Sequence, residues 1–155
     1  MPTLYMLVGI PGSGKSTWLA GHPFDWSNTR IISTDNIIER RAQEQGKTYS
    51  EIFQKEIKGA THQMNQELKQ AVSDGVDIVW DQTNLTKKSR AAKLAEIPDT
   101  YRKVAVFFPT PSDDELKRRL ASRPGKTIPA NVVLGMKSQL ERPGKDEGFD
   151  EIISA

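Results

Sequence analysis

The sequence predicts a three-layer α/β fold, with a central parallel sheet of four or five strands flanked by helices, and three observations carry that expectation. Its apolar runs are short and nearly continuous instead of alternating, as strands covered on both faces are. Helical periodicity fills the stretches between them, the order that calls for parallel strands joined by right-handed crossovers. A glycine-rich loop separates the first apolar run from the first helical segment, where such folds commonly bind ligands.

The strand candidates are Leu4 to Val8, Arg30 to Ser33, Asp77 to Trp80 and Val104 to Phe108. The clearest helix runs from Ser50 to Val72, where Ile52, Phe53, Ile57, Ala60, Met64, Leu68 and Ala71 recur at helical spacing. Asp74 and Gly75 close it and turn the chain into the next strand. Further helices are expected from Ser112 to Ala121 and from Pro129 to Leu140, separated by a basic loop with Pro124 and Gly125. A loop placed there, over the mouth of the sheet, suits a basic, mobile lid. Residues 143–155 read as a charged, Gly-rich tail without an assigned role, and residues 1–155 as one domain, since domains usually run ~100–200 residues.

A hydrophobic content of 36% and a charged content of 27% describe a folded, water-soluble chain. The net charge of +2 leaves any polyanionic partner to be met by a local cluster of Lys and Arg. The chain has no cysteine, which excludes disulfides, thiolate metal sites and a cysteine nucleophile. No apolar run approaches the ~18 residues of a membrane span, and the first one stops at a glycine loop after Val8, too early for a secretory signal. No membrane partner is expected, and the cytoplasm is the simplest location.

The segment Gly9, Ile10, Pro11, Gly12, Ser13, Gly14, Lys15, Ser16 matches G-x-x-x-x-G-K-[ST] between a strand and a helix, the context the P-loop requires. Its glycines let backbone N–H groups point at phosphate oxygens, Lys15 reaches the β and γ phosphates, and the Ser16 hydroxyl can ligate magnesium. Thr17 continues into the helix whose positive end faces the phosphates. ATP and Mg2+ are therefore the expected cofactors of a P-loop NTPase fold.

Phosphoryl transfer also needs a group to orient or deprotonate the acceptor, and such groups lie past the carboxyl ends of strands. Asp35 follows the second strand candidate and suits a general base; a helix N-cap is the alternative. Asp81 ends the third and suits a Walker B acid holding magnesium through water; a turn built with Gln82, Thr83 and Asn84 is the alternative. Arg119 and Arg123 stand four apart with Lys126 just beyond, and share one face if the helix extends to Arg123. They can supply charge to the migrating phosphate or simply face solvent near a helix C-terminus. Lys87, Lys88 and Arg90 read as a solvated face or as acceptor contacts. His22 and His62 show no metal-ligand pattern; Trp80 reads as core, and Trp26 is the better candidate for stacking on a base.

The ordered set of Gly9 to Trp18, Asp35, the segment Asp81 to Leu85, and the lid from Arg123 to Pro129 resembles the kinase domain of bacteriophage polynucleotide kinase, over roughly Leu4 to Pro143. The resemblance implies a 5′-hydroxyl kinase for DNA or RNA. In it Lys15 and Ser16 serve ATP and magnesium, Asp35 activates the acceptor hydroxyl, and Arg123 clamps the donor phosphates. The chain departs from that pattern in three places. Ile38 stands where the family has an acceptor-binding arginine, although Arg40 and Arg41 are close; Asp81 is one position earlier, with Gln82 before the Thr83–Asn84 pair; and the 3′-phosphatase activity of the phage enzyme's second domain is not expected. Acceptor contacts are accordingly sought at Arg40, Thr83, Asn84 and Arg90. Three other readings stand beside this one: a kinase of the hydroxymethyl group of 5-hydroxymethyluracil in phage DNA, which requires an exposed or flipped base; a nucleoside or other small-molecule kinase; and a non-catalytic nucleotide-binding module.

Overall fold

A computed structural model describes all residues, 1–155. Five strands, β1 (Thr3–Val8), β2 (Thr29–Ile32), β3 (Asp77–Trp80), β4 (Arg102–Phe107) and β5 (Glu151–Ser154), form one sheet in the order β2-β3-β1-β4-β5. Every pairing is parallel, with Met6 and Ile32 both opposite Trp80, and Phe107 opposite Val8 and Ser154. Parallel direction brings all the strand carboxyl ends to one edge, so the segments after β1, β2 and β3 meet there.

Six helices cover the sheet: α1 (Lys15–Gly21), α2 (Thr34–Gln45), α3 (Tyr49–Asp74), α4 (Lys87–Leu94), α5 (Asp113–Ala121) and α6 (Ala130–Gln139). Their boundaries have local causes. Thr48 and Glu51 form a reciprocal capping box at the start of α3, and Gly75, at φ 67°, ends it in the left-handed conformation. Ser112 and Thr86 cap α5 and α4.

One face of the sheet, carrying Leu4, Met6, Val8, Ile78 and Trp80, buries Ile37 and Ile38 of α2 and Ile52, Ala60, Met64 and Leu68 of α3. The other face, with Leu7, Val79, Val104 and Val106, packs on Trp18 and Leu19 of α1 and on Phe24. A third small cluster joins Ile10 of the glycine loop to Leu116 of α5 and Val133 of α6, which seats the two lid helices beside that loop.

The expected tail is a correction: residues 143–155 are part of the body. A short 3-10 turn, Lys145–Glu147, leads to Phe149, 4% exposed, and then to β5, the fifth strand of the sheet. No helix is long and apolar enough to cross a membrane.

Candidate active site

The glycine loop is shaped by close contacts at Gly9 and Gly12 and by positive φ at Gly12 and Gly14. A Cβ on Gly9 would lie 2.6 Å from Ser13 Oγ and 2.9 Å from Phe108 Cβ, and Gly12 and Gly14 take φ values of 82° and 103°, in the region that favours glycine. Gly14 is the N-cap of α1, so Lys15, Ser16 and Thr17 form its first turn, with Ser16 and Thr17 exposed. Pro11 and Ser13 are half-buried in the loop, and Ser13 N–H donates to Ile10 O at 3.2 Å. Lys15 Nζ donates to Gly9 O at 2.6 Å and Ile10 O at 3.2 Å. Burial lowers the Lys15 ammonium to about 8; Asp81 and Asp35 oppose that fall, and Arg123 and Lys126 add to it. These charges therefore converge on one lysine.

Asp35 lies in the first turn of α2, but Ser33 is the N-cap, its Oγ accepting from Asn36 N–H at 3.2 Å. The capping alternative for Asp35 is thus set aside. Its carboxylate accepts instead from Tyr49 Oη at 2.6 Å and from Lys126 Nζ at 3.0 Å. Burial alone would raise its pKa; the Lys126 charge, the hydrogen bonds from Tyr49 and Lys126, and Lys15 outweigh burial and hold it below the usual carboxylate range. Asp35 is a carboxylate at neutral pH and remains half-exposed.

Asp81 differs. Its backbone N–H bonds Ile32 O at 2.8 Å, which ties the ends of β2 and β3 together. Burial raises its carboxyl pKa, Lys15 opposes the rise, and Asp35 adds to it. Asp81 is half-buried, and its charge acts on Lys15 in the first turn of α1, the turn that also carries the exposed Ser16; a carboxylate and a hydroxyl are oxygen donors of the kind a hard cation takes. No group of three or more acidic or histidine side chains is gathered for a metal, so a cation there would take much of its shell from phosphate and water.

The lid corrects one expectation. Helix α5 stops at Ala121 with Ser122 as its C-cap, so Arg119 and Arg123 do not share a helical face. Arg119 reaches the glycine loop, Nη1 donating to Gly12 O at 3.0 Å while Nε bonds Glu115. Arg123 lies beyond the helix, and its Nη1 is buried with no hydrogen-bond partner, as is Ser13 Oγ. Buried donors without partners are rare and call for an anion or water. Together with the glycine cradle they fit a polyphosphate.

The acceptor candidates fare differently. Asn84 is 2% exposed and has a positive φ of 48°; its Nδ2 donates to Leu7 O at 2.7 Å and its Oδ1 accepts from Lys93. Its side chain stitches β3 to β1 and does not face a substrate. Arg90 is neither a substrate contact nor part of a solvated face. It is fully buried, bonded to both carboxylate oxygens of Glu147 at 2.8 and 3.1 Å and to Asn84 O and Leu85 O. Thr83 supports the glycine loop through its carbonyl, which accepts from Gly9 N–H at 3.0 Å, and its half-buried side chain lines a polar pocket of about 250 Å³ with Thr86, Ser89 and Lys93. Arg40 is exposed on α2; Arg41 is held by Glu56 and Gln63; Ile38 is wholly buried. Trp26 is half-exposed and leans on Phe24 at 5.2 Å, and His22 stacks on Trp18 at 4.7 Å.

Two site residues escaped the sequence reading. Tyr49 lies just outside the helix expected from Ser50, and in the sequence Lys126 is only a basic neighbour of Arg123. The one available signal was the Thr48–Glu51 cap spacing, which places Tyr49 in a fixed first turn.

A model of the AAA domain family matches residues 4–143. Mouse heterogeneous nuclear ribonucleoprotein U-like protein 2 is 26% identical over 156 residues, covering 95% of this chain, and the chain spans about a fifth of that relative's length, 20%. A chain of the Pnkp1/Rnl/Hen1 RNA repair complex superposes with a TM-score of 0.68 at 24% identity, over 96% of this chain and 46% of that one. A gluconokinase from Sinorhizobium meliloti 1021 gives 0.50 at 18% identity, over 99% and 81%. At these identities the structural likeness speaks for the fold alone, a P-loop NTPase arrangement with five parallel strands between helices.

Proposed function

Because the chain belongs to the AAA domain family, whose P-loop implies a nucleotide and a divalent metal, we propose that it is an ATP- and Mg2+-dependent kinase acting on a hydroxyl of a nucleic acid, most simply the 5′-hydroxyl of DNA or RNA. The observation that carries this reading is the convergence of Lys15, an oriented Asp35 carboxylate and the partnerless Nη1 of Arg123 at one edge of the sheet. Mere nucleotide storage has no use for the second of these. The resemblance of the ordered motifs to those of phage polynucleotide kinase supports a nucleic-acid acceptor.

Lys15 and the loop N–H groups bind the β and γ phosphates, and Arg123, with Arg119 beside it, meets the charge that builds on the transferred group. Asp35 takes the proton of the acceptor hydroxyl as that oxygen bonds the γ-phosphorus and the bond to the β–γ bridging oxygen breaks, releasing ADP. A magnesium ion on Ser16 and, through water, on Asp81 would neutralise phosphate charge when bound.

Ile38 favours a second reading. With a buried apolar side chain where an acceptor-binding arginine is expected, the acceptor can be a hydroxymethyl group on a DNA base or a small alcohol. Transfer from γ-labelled ATP to a 5′-hydroxyl oligonucleotide, to 5-hydroxymethyluracil DNA with blocked ends, and to a nucleoside and sugar-acid mixture separates the three. Label on the 5′ end supports the first reading; label on the blocked DNA or on small molecules alone replaces it. Lys15→Ala and Asp35→Ala should both abolish transfer to the true acceptor, while only Lys15→Ala weakens nucleotide binding in a titration. Equal loss of binding in both would make Asp35 structural.

A further inference from the structure

The two donors on Asp35 are attached to the molecule in different ways. Tyr49, which donates to Oδ1 at 2.6 Å, is the first residue of α3, fixed by the Thr48–Glu51 capping box, with its ring 5.6 Å from Phe53 and packed against the main core. Lys126, which donates to Oδ2 at 3.0 Å and to Glu39 at 3.4 Å, belongs to the loop between α5 and α6. That loop meets the body of the protein at Ser50, through Ser50 N–H to Gly125 O at 3.2 Å and Thr127 N–H to Ser50 Oγ at 3.0 Å. One donor is thus part of the scaffold and the other part of the lid.

A carboxylate that removes a proton needs one oxygen open to the incoming hydroxyl and a fixed plane. Oδ2 is the oxygen that lid movement can uncover; Oδ1 is anchored whatever the lid does. Resting on the kinase reading above, we propose that Tyr49 is the positioning residue of the base, holding Oδ1 so that Oδ2 faces the acceptor once Lys126 withdraws. The phenol is suited to this task. Burial, and then the Asp35 carboxylate, push Tyr49 far above the usual phenol range, so it donates at every working pH. Lys126 and Lys15 face Asp35 as cations, with Asp81 and Glu39 as the nearby anions and Arg123 acting on the phenol.

The test is Tyr49→Phe, which keeps the ring, its contact with Phe53 and the surface under Lys126, whose Nζ lies 4.4 Å from the ring centroid. In the full chain without substrates, a carbon-detected NMR titration of the side-chain carboxyls, with Asp35 assigned through Asp35→Asn, should show Asp35 titrating at higher pH in Tyr49→Phe than in wild type. With the acceptor found above, kcat should fall about tenfold, the loss of one hydrogen bond to a charged group. The KM for ATP should hold, and the acid limb of the kcat profile should move to higher pH. The sign follows because the phenol stabilises the charged carboxylate, so its removal raises the pKa. An Asp35 titration that does not move overturns the proposal whatever the acceptor, and so does a shifted titration with unchanged kcat. If wild type transfers to no acceptor while the titration shifts, the kinase reading fails and the anchoring of Asp35 by Tyr49 stands.

Discussion

Arg90 on α4 and Arg123 in the lid were both sequence candidates for handling phosphate, and the structure withdraws both from solvent under opposite conditions. Arg90 has every nitrogen engaged: a fork onto Glu147, whose side chain is 7% exposed, and Nη1 shared between two main-chain carbonyls. Arg123 has a buried Nη1 with nothing to bond. A satisfied buried cation is part of the architecture, whereas an unpartnered buried donor leaves a hydrogen bond for an anion or water to make. The contrast separates stability from activity, and it can be broken at either end.

The largest effect is expected at Arg90. Arg90→Met strands the Glu147 carboxylate in the interior and should cost ~3–5 kcal/mol of folding free energy, read by chemical denaturation; a loss below ~1 kcal/mol would put Arg90 among ordinary surface pairs. Arg123→Ala should instead lower kcat by about 100-fold, ~2.7 kcal/mol of transition-state stabilisation, with an unfolding midpoint no lower than wild type. Acid sharpens the Arg90 side further. Burial would raise the Glu147 pKa, but the hydrogen bonds from Arg90 and Gly144 and the Arg90 charge bring it below the usual glutamate value. Its folded pKa lies below the unfolded one, so this stabilisation is complete above the unfolded range near ~4.3 and is lost as pH falls through the folded value. The stability gap between wild type and Arg90→Met should therefore narrow in acid. The smallest effect belongs to Arg119→Ala. Its pairing with Glu115 lies at the surface and should add little to stability, leaving a modest change in nucleotide affinity as its main trace.

The contrast also marks where sequence reasoning stops. The glycine loop was legible because its spacing is local and its conformations admit few residues other than glycine. The same holds for the first four strands in the chain and for α3, whose apolar patterns are continuous or periodic. Strand β5 was not, since Glu151–Ser154 offers two isoleucines in a charged stretch and owes its strand to pairing with β4. Arg90 carries no local sign of burial, because its partner lies 57 residues along the chain. Asp35 was found from its place after β2, yet its two donors come from α3 and from a lid residue 91 positions away.

The Arg90–Glu147 fork also orders events in time. A chain made from its N-terminus produces the glycine loop, Asp35 and the Asn84 turn well before Glu147 and β5. Contacts between such distant segments form slowly, because a long loop must close before they give any return. Until the turn Lys145–Glu147 packs beside α4, Arg90 has no carboxylate to accompany it into the interior. The turn after β3 bonds the glycine loop through Thr83 and β1 through Asn84, and Arg90 in turn bonds the carbonyls of Asn84 and Leu85. The glycine loop thus depends, through the turn after β3 and Arg90, on a carboxylate 57 residues beyond that arginine.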